Sequence, residues 1–194
     1  MKDNSKVLVA SFQRCGTQST TKFLERLVGN SLQFSPTNET AYFLNKDLDF
    51  FAKHLEDFCD GANIFSNAPY FALYEKLYSM YPDIKVILVT RNEQDWLKSF
   101  QRLTKKTGID SLSMQALSKY SPDIRKRYNS NSLSSDHLLE IFRKHNNSVR
   151  NFFNNSDNFL DVDLTDAEIG KKIQMLLGTE EDILFPKIDN AGIY

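Results

Sequence analysis

The stretch "KVLVASFQRCGTQSTTKFLERLVG", residues 6–29, decides how the rest of the chain is read. An apolar run, Lys6 to Phe12, has the β-branched and aliphatic content of a buried strand, and it breaks into a short polar turn with one glycine. A helical pattern starts at once. Phe23, Leu24, Leu27 and Val28 repeat at helical spacing from Ser19 onward, and Gly29-Asn30 supplies a stop. Strand, tight turn and helix in direct succession form the layout of a phosphate-binding loop. The Walker A form, however, requires G-x-x-x-x-G-K-[ST]. Here Ser11 or Phe12 stands at the first glycine position, and Thr17 follows Gly16 where lysine is due.

Bulk properties narrow the setting. A chain of 194 residues, 41% hydrophobic and 25% charged, has the size of one domain with a full core, so residues 1–194 are expected to form a single unit. The formal net charge of -1 gives no overall field toward nucleic acid or an anionic membrane, so an anion site has to be built locally. Two cysteines make neither a disulfide framework nor a metal cluster, and the three histidines are scattered, so no metal site is expected. The N-terminus lacks the pattern of a signal peptide, and no apolar run approaches the roughly 18 residues of a membrane span. A cytoplasmic protein without a membrane anchor is the expectation.

Further along, Leu48 to Cys59 reads as a helix, "ANIFS" as a short strand, and "PYFALYEKLYSMYP" as a helix framed by Pro69 and Pro82. "KVILVT", Lys85 to Thr90, is a continuous apolar run ending in Arg91, the pattern of a central parallel strand that delivers a residue to a site. Asn92 caps the next helix, which carries Trp96, Phe100 and Leu103 on one face. From Lys105 to Leu133 periodicity is weak, and residues 105–133 read as an insertion or lid rather than core. A long helix covers about Asp136 to Phe153, "NFLDVDL" is a last strand, and Thr165 to Glu168 reads as a capping box opening the final helix. Strands alternating with helices predict an α/β fold with a mostly parallel central sheet flanked by helices in three layers.

Three segments in this order, "SFQRCGTQS", "SNAPYFALYEKLYSMYPDIKVILVTRNEQDWLKSF" and a late strand and helix ending in "FPK", resemble the P-loop sulfotransferases that use 3′-phosphoadenosine 5′-phosphosulfate (PAPS). The resemblance is weak over residues 31–59 and 105–133. It implies a P-loop-type fold and transfer of a sulfuryl group from PAPS to a hydroxyl or amine of a small-molecule or carbohydrate acceptor, leaving adenosine 3′,5′-bisphosphate. The departure from Walker A is then chemically sensible. PAPS has no γ-phosphate to transfer and needs no Mg²⁺ bridge, so the lysine-serine pair that serves those groups is dispensable.

Each position has an implied role. Backbone N–H groups of Cys15, Gly16, Thr17 and Gln18, with the hydroxyls of Thr17, Ser19 and Thr20, would hold the 5′-phosphosulfate at a helix N-terminus. Arg14 stands where the family commonly has a lysine, keeping the charge that stabilises the leaving phosphate. Arg91 and Ser99, eight positions apart, would grip the 3′-phosphate, with Lys187 of the tail closing over it. Trp96 between them reads as a core aromatic, and Cys15 as a small residue filling the loop. "RKRY", Arg125 to Tyr128, reads as a solvated face. The general base is the weak point. The family's histidine position corresponds to Asn67, which does not titrate usefully. His54, Glu56, Asp57, Asp60 and Glu39 are the other candidates, and an acidic acceptor such as a phenol would need little help. Two further readings stay open: a PAPS- or bisphosphate-binding regulatory module with weakened catalysis, and a small P-loop kinase, against which the missing lysine argues.

Overall fold

The computed structural model describes residues 5–29, 31–33, 48–59, 61–109 and 111–186. Its strands are β1 (Val7–Val9), β2 (Ser31–Gln33), β3 (Ile64–Ser66), β4 (Lys85–Thr90) and β5 (Phe159–Asp163). Every pairing is parallel, in the order β2-β3-β1-β4-β5. Strand neighbours are in register at Val7↔Ile64 and Val7↔Lys85, and again at Val86↔Phe159. The central strands are apolar throughout because both faces are covered. Val7, Val9, Ile87 and Val89 pack on one side with Phe23, Leu24, Ile169 and Ile173, whereas Leu8, Val86 and Leu88 face the larger core on the other.

The first face is covered by α1 (Thr17–Val28) and the final helix, α9 (Ile169–Leu177). The second carries the other helices among the described residues: α2 (Leu48–Lys53), α3 (Leu55–Cys59), α4 (Tyr74–Met80), α5 (Glu93–Thr107), α6 (Ser111–Ser118), α7 (Ile124–Asn129) and α8 (Ser135–Phe152). Trp96 is its centre, fully buried, stacked on Phe142 at 4.4 Å and Phe100 at 5.1 Å. Asn92 caps α5 as its sequence predicts, accepting from the Gln94 and Asp95 amides. Ser134 caps α8 by accepting from the His137 amide.

Four expectations change. The helix over residues 48–59 is two, α2 and α3, divided at His54. Pro69 precedes a 3₁₀ turn, Tyr70–Ala72, and α4 starts only at Tyr74. The capping box at Thr165 does not form, and α9 begins at Ile169. The Asp163 carboxylate instead accepts from the Thr165 amide at 2.8 Å, and the Asp166 carboxylate from the Glu168 amide at 2.7 Å. Such Asx turns compete with helix initiation. The largest change concerns residues 105–133, read from sequence as lying outside the core. Met114, Ala116, Leu117, Tyr120 and Ile124 join the main core, and residues 113–117 are all buried. Five consecutive buried residues, the polar Ser113 and Gln115 among them, leave no amphipathic stripe over that stretch, which is why weak periodicity misled.

In an all-parallel sheet every strand delivers its C-terminal residue to the same edge. The chain leaves β1 across one face, through α1, toward β2, and leaves β4 across the other face, through α5 to α8, toward β5. The two connections part between β1 and β4, so a crevice opens outside their C-terminal ends, where ligands of such sheets bind.

Candidate functional site

That crevice is bounded by the loop after β1 and by Arg91 after β4. Side chains of the loop and of other elements hold it in place. Ser11 accepts the Val89 amide at 2.6 Å, and Trp96 Nε1 donates to the Gln13 carbonyl at 2.8 Å. The Gln13 side chain donates to Ser113 of α6. Arg91 Nη1 donates to the Arg14 carbonyl at 3.1 Å, and His145 of α8 bonds the Ala10 carbonyl at 2.7 Å. Arg14 Nε donates to Ser99 Oγ at 3.0 Å. Arg14, Arg91 and Ser99, which sequence singled out at positions up to 85 residues apart, are thus joined through Arg14, by its guanidinium to Ser99 and by its carbonyl to Arg91. Because Ser99 accepts from Arg14 through its oxygen, its own proton remains to be given to an anion.

The turn into α1 is unusual in its backbone. Arg14 has φ 70 and Gly16 φ 76, both left-handed. Gly16 is the helix cap and makes no side-chain capping bond, and no acidic residue occupies the first turn. The positive end of the α1 dipole therefore lies at this turn with no acidic side chain to offset it, a geometry suited to an anion. Thr17 and Ser19 flank it, each about one-twentieth exposed, and Gln18 is half-buried. Thr20, also expected to aid the anion, turns its hydroxyl back to the Gly16 carbonyl at 3.1 Å. The Cys15 side chain points into the core, and burial pushes its thiol well above the usual range against the lowering pull of Arg91. It serves as a buried filler, and only its backbone can face a ligand.

Leu164, just after β5, lies over Gly16, so that a Cβ there would collide with its side chain. Gly16→Ala is expected to cost about 1–2 kcal/mol, combining left-handed strain with that collision, as a lowered midpoint in urea denaturation. Asp163, beside Leu164, is an acidic rim residue that sequence reading did not select. It raises the Cys15 thiol slightly by charge.

The positions proposed for proton transfer fare differently. Asn67 stands at the C-terminal end of β3, half-buried, in left-handed geometry at φ 65, with its carbonyl accepting the Phe71 amide at 3.2 Å. His54 lies at the break between α2 and α3, its ring against Phe50 at 4.4 Å. Glu56 is exposed on α3 and Asp57 lies on the same helix. Lys187, Asp60 and Glu39 lie outside the described residues. Among the described residues no group of three or more His, Cys, Asp or Glu side chains could hold a metal ion, and no helix is long and apolar enough to cross a membrane.

A family model described as sulfotransferase domain matches residues 6–191. The chain belongs to the sulfotransferase domain family. Its fold agrees: a sulfotransferase from Alicyclobacillus acidocaldarius superposes with a TM-score of 0.57 at 13% identity, over 96% of this chain and 87% of that one. A sequence comparison with curated proteins finds no match. In this sulfotransferase the β1 loop, read from sequence as a phosphate-binding turn without a Walker lysine, keeps a cation in Arg14, one residue before the buried Cys15.

His145, bonded to the Ala10 carbonyl at the start of the loop, is a second residue that sequence reading did not select. It is fully buried, and desolvation lowers its pKa from 6.5 to about 3, with the bond to Ala10 opposing the fall. Between those two values the unfolded chain binds a proton that the folded chain does not, so stability rises with pH through this window. The contribution is fully present above about pH 6.5 and is lost as pH falls toward 3. Urea denaturation between pH 7 and 4 is expected to show this loss, and in His145→Gln the slope over the same window is expected to be shallower.

Proposed function

We propose that this sulfotransferase moves the sulfuryl group of PAPS to a hydroxyl or amine of a small-molecule or carbohydrate acceptor and releases adenosine 3′,5′-bisphosphate. The observation that carries the reading is that Arg14, two residues before the helix cap Gly16, is bonded both to Ser99 and to Arg91. Two cations and a hydroxyl beside oriented amides suit a ligand with two separate anionic groups, which PAPS has and AMP lacks.

In this reading the acceptor oxygen attacks sulfur as the bond between sulfur and the bridging oxygen breaks, and the electron pair stays on the 5′-phosphate. Arg14, always protonated, stabilises that developing charge, which differs most between ground and transition states. The loop amides hold the non-reacting oxygens, while Arg91 and Ser99 fix the 3′-phosphate and so the line of attack. Ser99 couples Arg14 to the 3′-phosphate end of the ligand in this reading, since the hydroxyl it would offer that phosphate also accepts Arg14 Nε. The chemistry requires no divalent ion to bridge a γ-phosphate. The acceptor proton finds no titrating group at Asn67, so an acidic acceptor such as a phenol fits best.

The same Asn67 favours a second reading, a regulatory module that binds PAPS or its bisphosphate with weakened catalysis. Incubation with PAPS and a panel of phenols, alcohols, amines and sugars, followed by release of the bisphosphate, separates the two. Acceptor-dependent release supports the enzyme. Tight binding without release across the panel, with release gained in Asn67→His, supports the module.

A further inference from the structure

The Ala10 carbonyl marks the point where β1 becomes the donor loop, and the imidazole that holds it comes from the middle of α8, 135 residues away. His145 Nε2 lies 2.7 Å from that oxygen and Nδ1 lies 2.8 Å from the Tyr120 hydroxyl. A carbonyl oxygen only accepts, so Nε2 carries the proton, and Nδ1, left with its lone pair, accepts from Tyr120. The ring has no exposed surface. It is boxed edge-on by Phe12 at 5.3 Å, Phe71 at 5.2 Å and Tyr120 at 5.2 Å. Phe12 is itself a loop residue, so His145 grips the loop twice, by a hydrogen bond at Ala10 and by packing at Phe12. The stretch that supplies Tyr120 reaches the loop once more through Ser113 and Gln13.

We propose that His145 is a positioning residue of the donor loop: the directed chain from the Tyr120 hydroxyl through the imidazole to the Ala10 carbonyl fixes where β1 ends and hence where Arg14 and the loop amides point. The inference rests on the reading of this loop as the donor site. Arg14, four residues beyond Ala10, already sits in left-handed geometry, so a small change in the exit from β1 would displace its guanidinium from the anion. The imidazole contributes no charge, because burial keeps it neutral, and its hold is therefore independent of pH across the neutral range. The facing groups are Tyr120, which burial keeps protonated, and Lys119, whose charge disfavours an imidazolium still further.

Three substitutions of His145 separate positioning from packing. The amide nitrogen of glutamine falls where Nε2 stands and can donate to Ala10, whereas that of asparagine falls at Nδ1 and cannot reach it. Leucine keeps bulk alone. Affinity for adenosine 3′,5′-bisphosphate by calorimetry is expected to fall about tenfold in His145→Asn and His145→Leu and to stay within about threefold of wild type in His145→Gln, since a loop released from Ala10 no longer holds its anion contacts in place. Amide hydrogen exchange of residues 12–17 in the ligand-free protein is read in parallel, with faster exchange expected in the asparagine and leucine variants only. Equal weakening in glutamine and asparagine variants, or wild-type binding and exchange in all three, overturns the proposal. A wild-type protein indifferent to the bisphosphate would sink the donor reading alone, and loop exchange would then decide the role of His145. If no His145 variant folds, Tyr120→Phe serves: it removes the hydroxyl that fixes the imidazole while keeping the ring, and faster loop exchange supports the role while unchanged exchange overturns it.

Discussion

Replacing Arg14 by alanine is expected to lower kcat/KM for sulfuryl transfer from PAPS by about 10²–10³-fold, the usual loss when one preorganised donor to developing charge is removed. The loss should fall mainly on kcat, because the bridging oxygen gains its charge as the S–O bond breaks. Arg14→Lys keeps a cation and is expected to recover most of the rate, although lysine lacks the Nε–H that Arg14 gives Ser99 at 3.0 Å. Fold stability serves as the control. Arg14 already occupies φ 70, so alanine inherits the same backbone strain, and the unfolding midpoint should shift little. Steady-state kinetics with the bisphosphate released as product would check this, and an unchanged kcat in Arg14→Ala would remove Arg14 from the leaving-group role.

Arg91 acts on the other end of the ligand. Arg91→Ala is expected to weaken adenosine 3′,5′-bisphosphate binding about 30- to 100-fold, the lower part of the range for truncating one partner of a hydrogen-bonded charge contact, because Arg91 is only half-buried. AMP, which lacks the 3′-phosphate, should lose several-fold at most through the loop carbonyl that Arg91 holds. The preference between the two nucleotides is therefore the quantity to measure, by calorimetry on wild type and variant. A preference that survives Arg91→Ala would assign the 3′-phosphate to other residues.

Much of this fold could be read from sequence because its central strands announce themselves. Lys85 to Thr90 is continuous in apolar residues, and it runs as β4 over the expected span before ending at Arg91. The β1 turn could be read because Gly16, set between an apolar run and a helical stripe, marks a tight passage from strand to helix, and the spacing of Arg91 and Ser99 follows from one strand end and one helix. What stayed hidden depends on partners that leave no mark in a sequence. Burial of every residue from 113 to 117 left no amphipathic stripe, so a segment that packs in the core read as lying outside it. His145 acts on a backbone carbonyl and on a tyrosine 25 residues before it, so neither spacing nor neighbouring residue types identified it. The bond between Arg14 and Ser99 spans 85 residues, and two residues singled out separately from sequence turn out to be bonded to each other.

The most direct measurement is calorimetric titration of the wild-type chain with adenosine 3′,5′-bisphosphate and with AMP at fixed salt, with and without a chelator. A donor site built from Arg14, Arg91, Ser99 and the α1 N-terminus requires the bisphosphate to bind about 30-fold or more tighter than AMP, with no effect of the chelator. Equal affinities for the two nucleotides, or binding that disappears when divalent ions are removed, would contradict it.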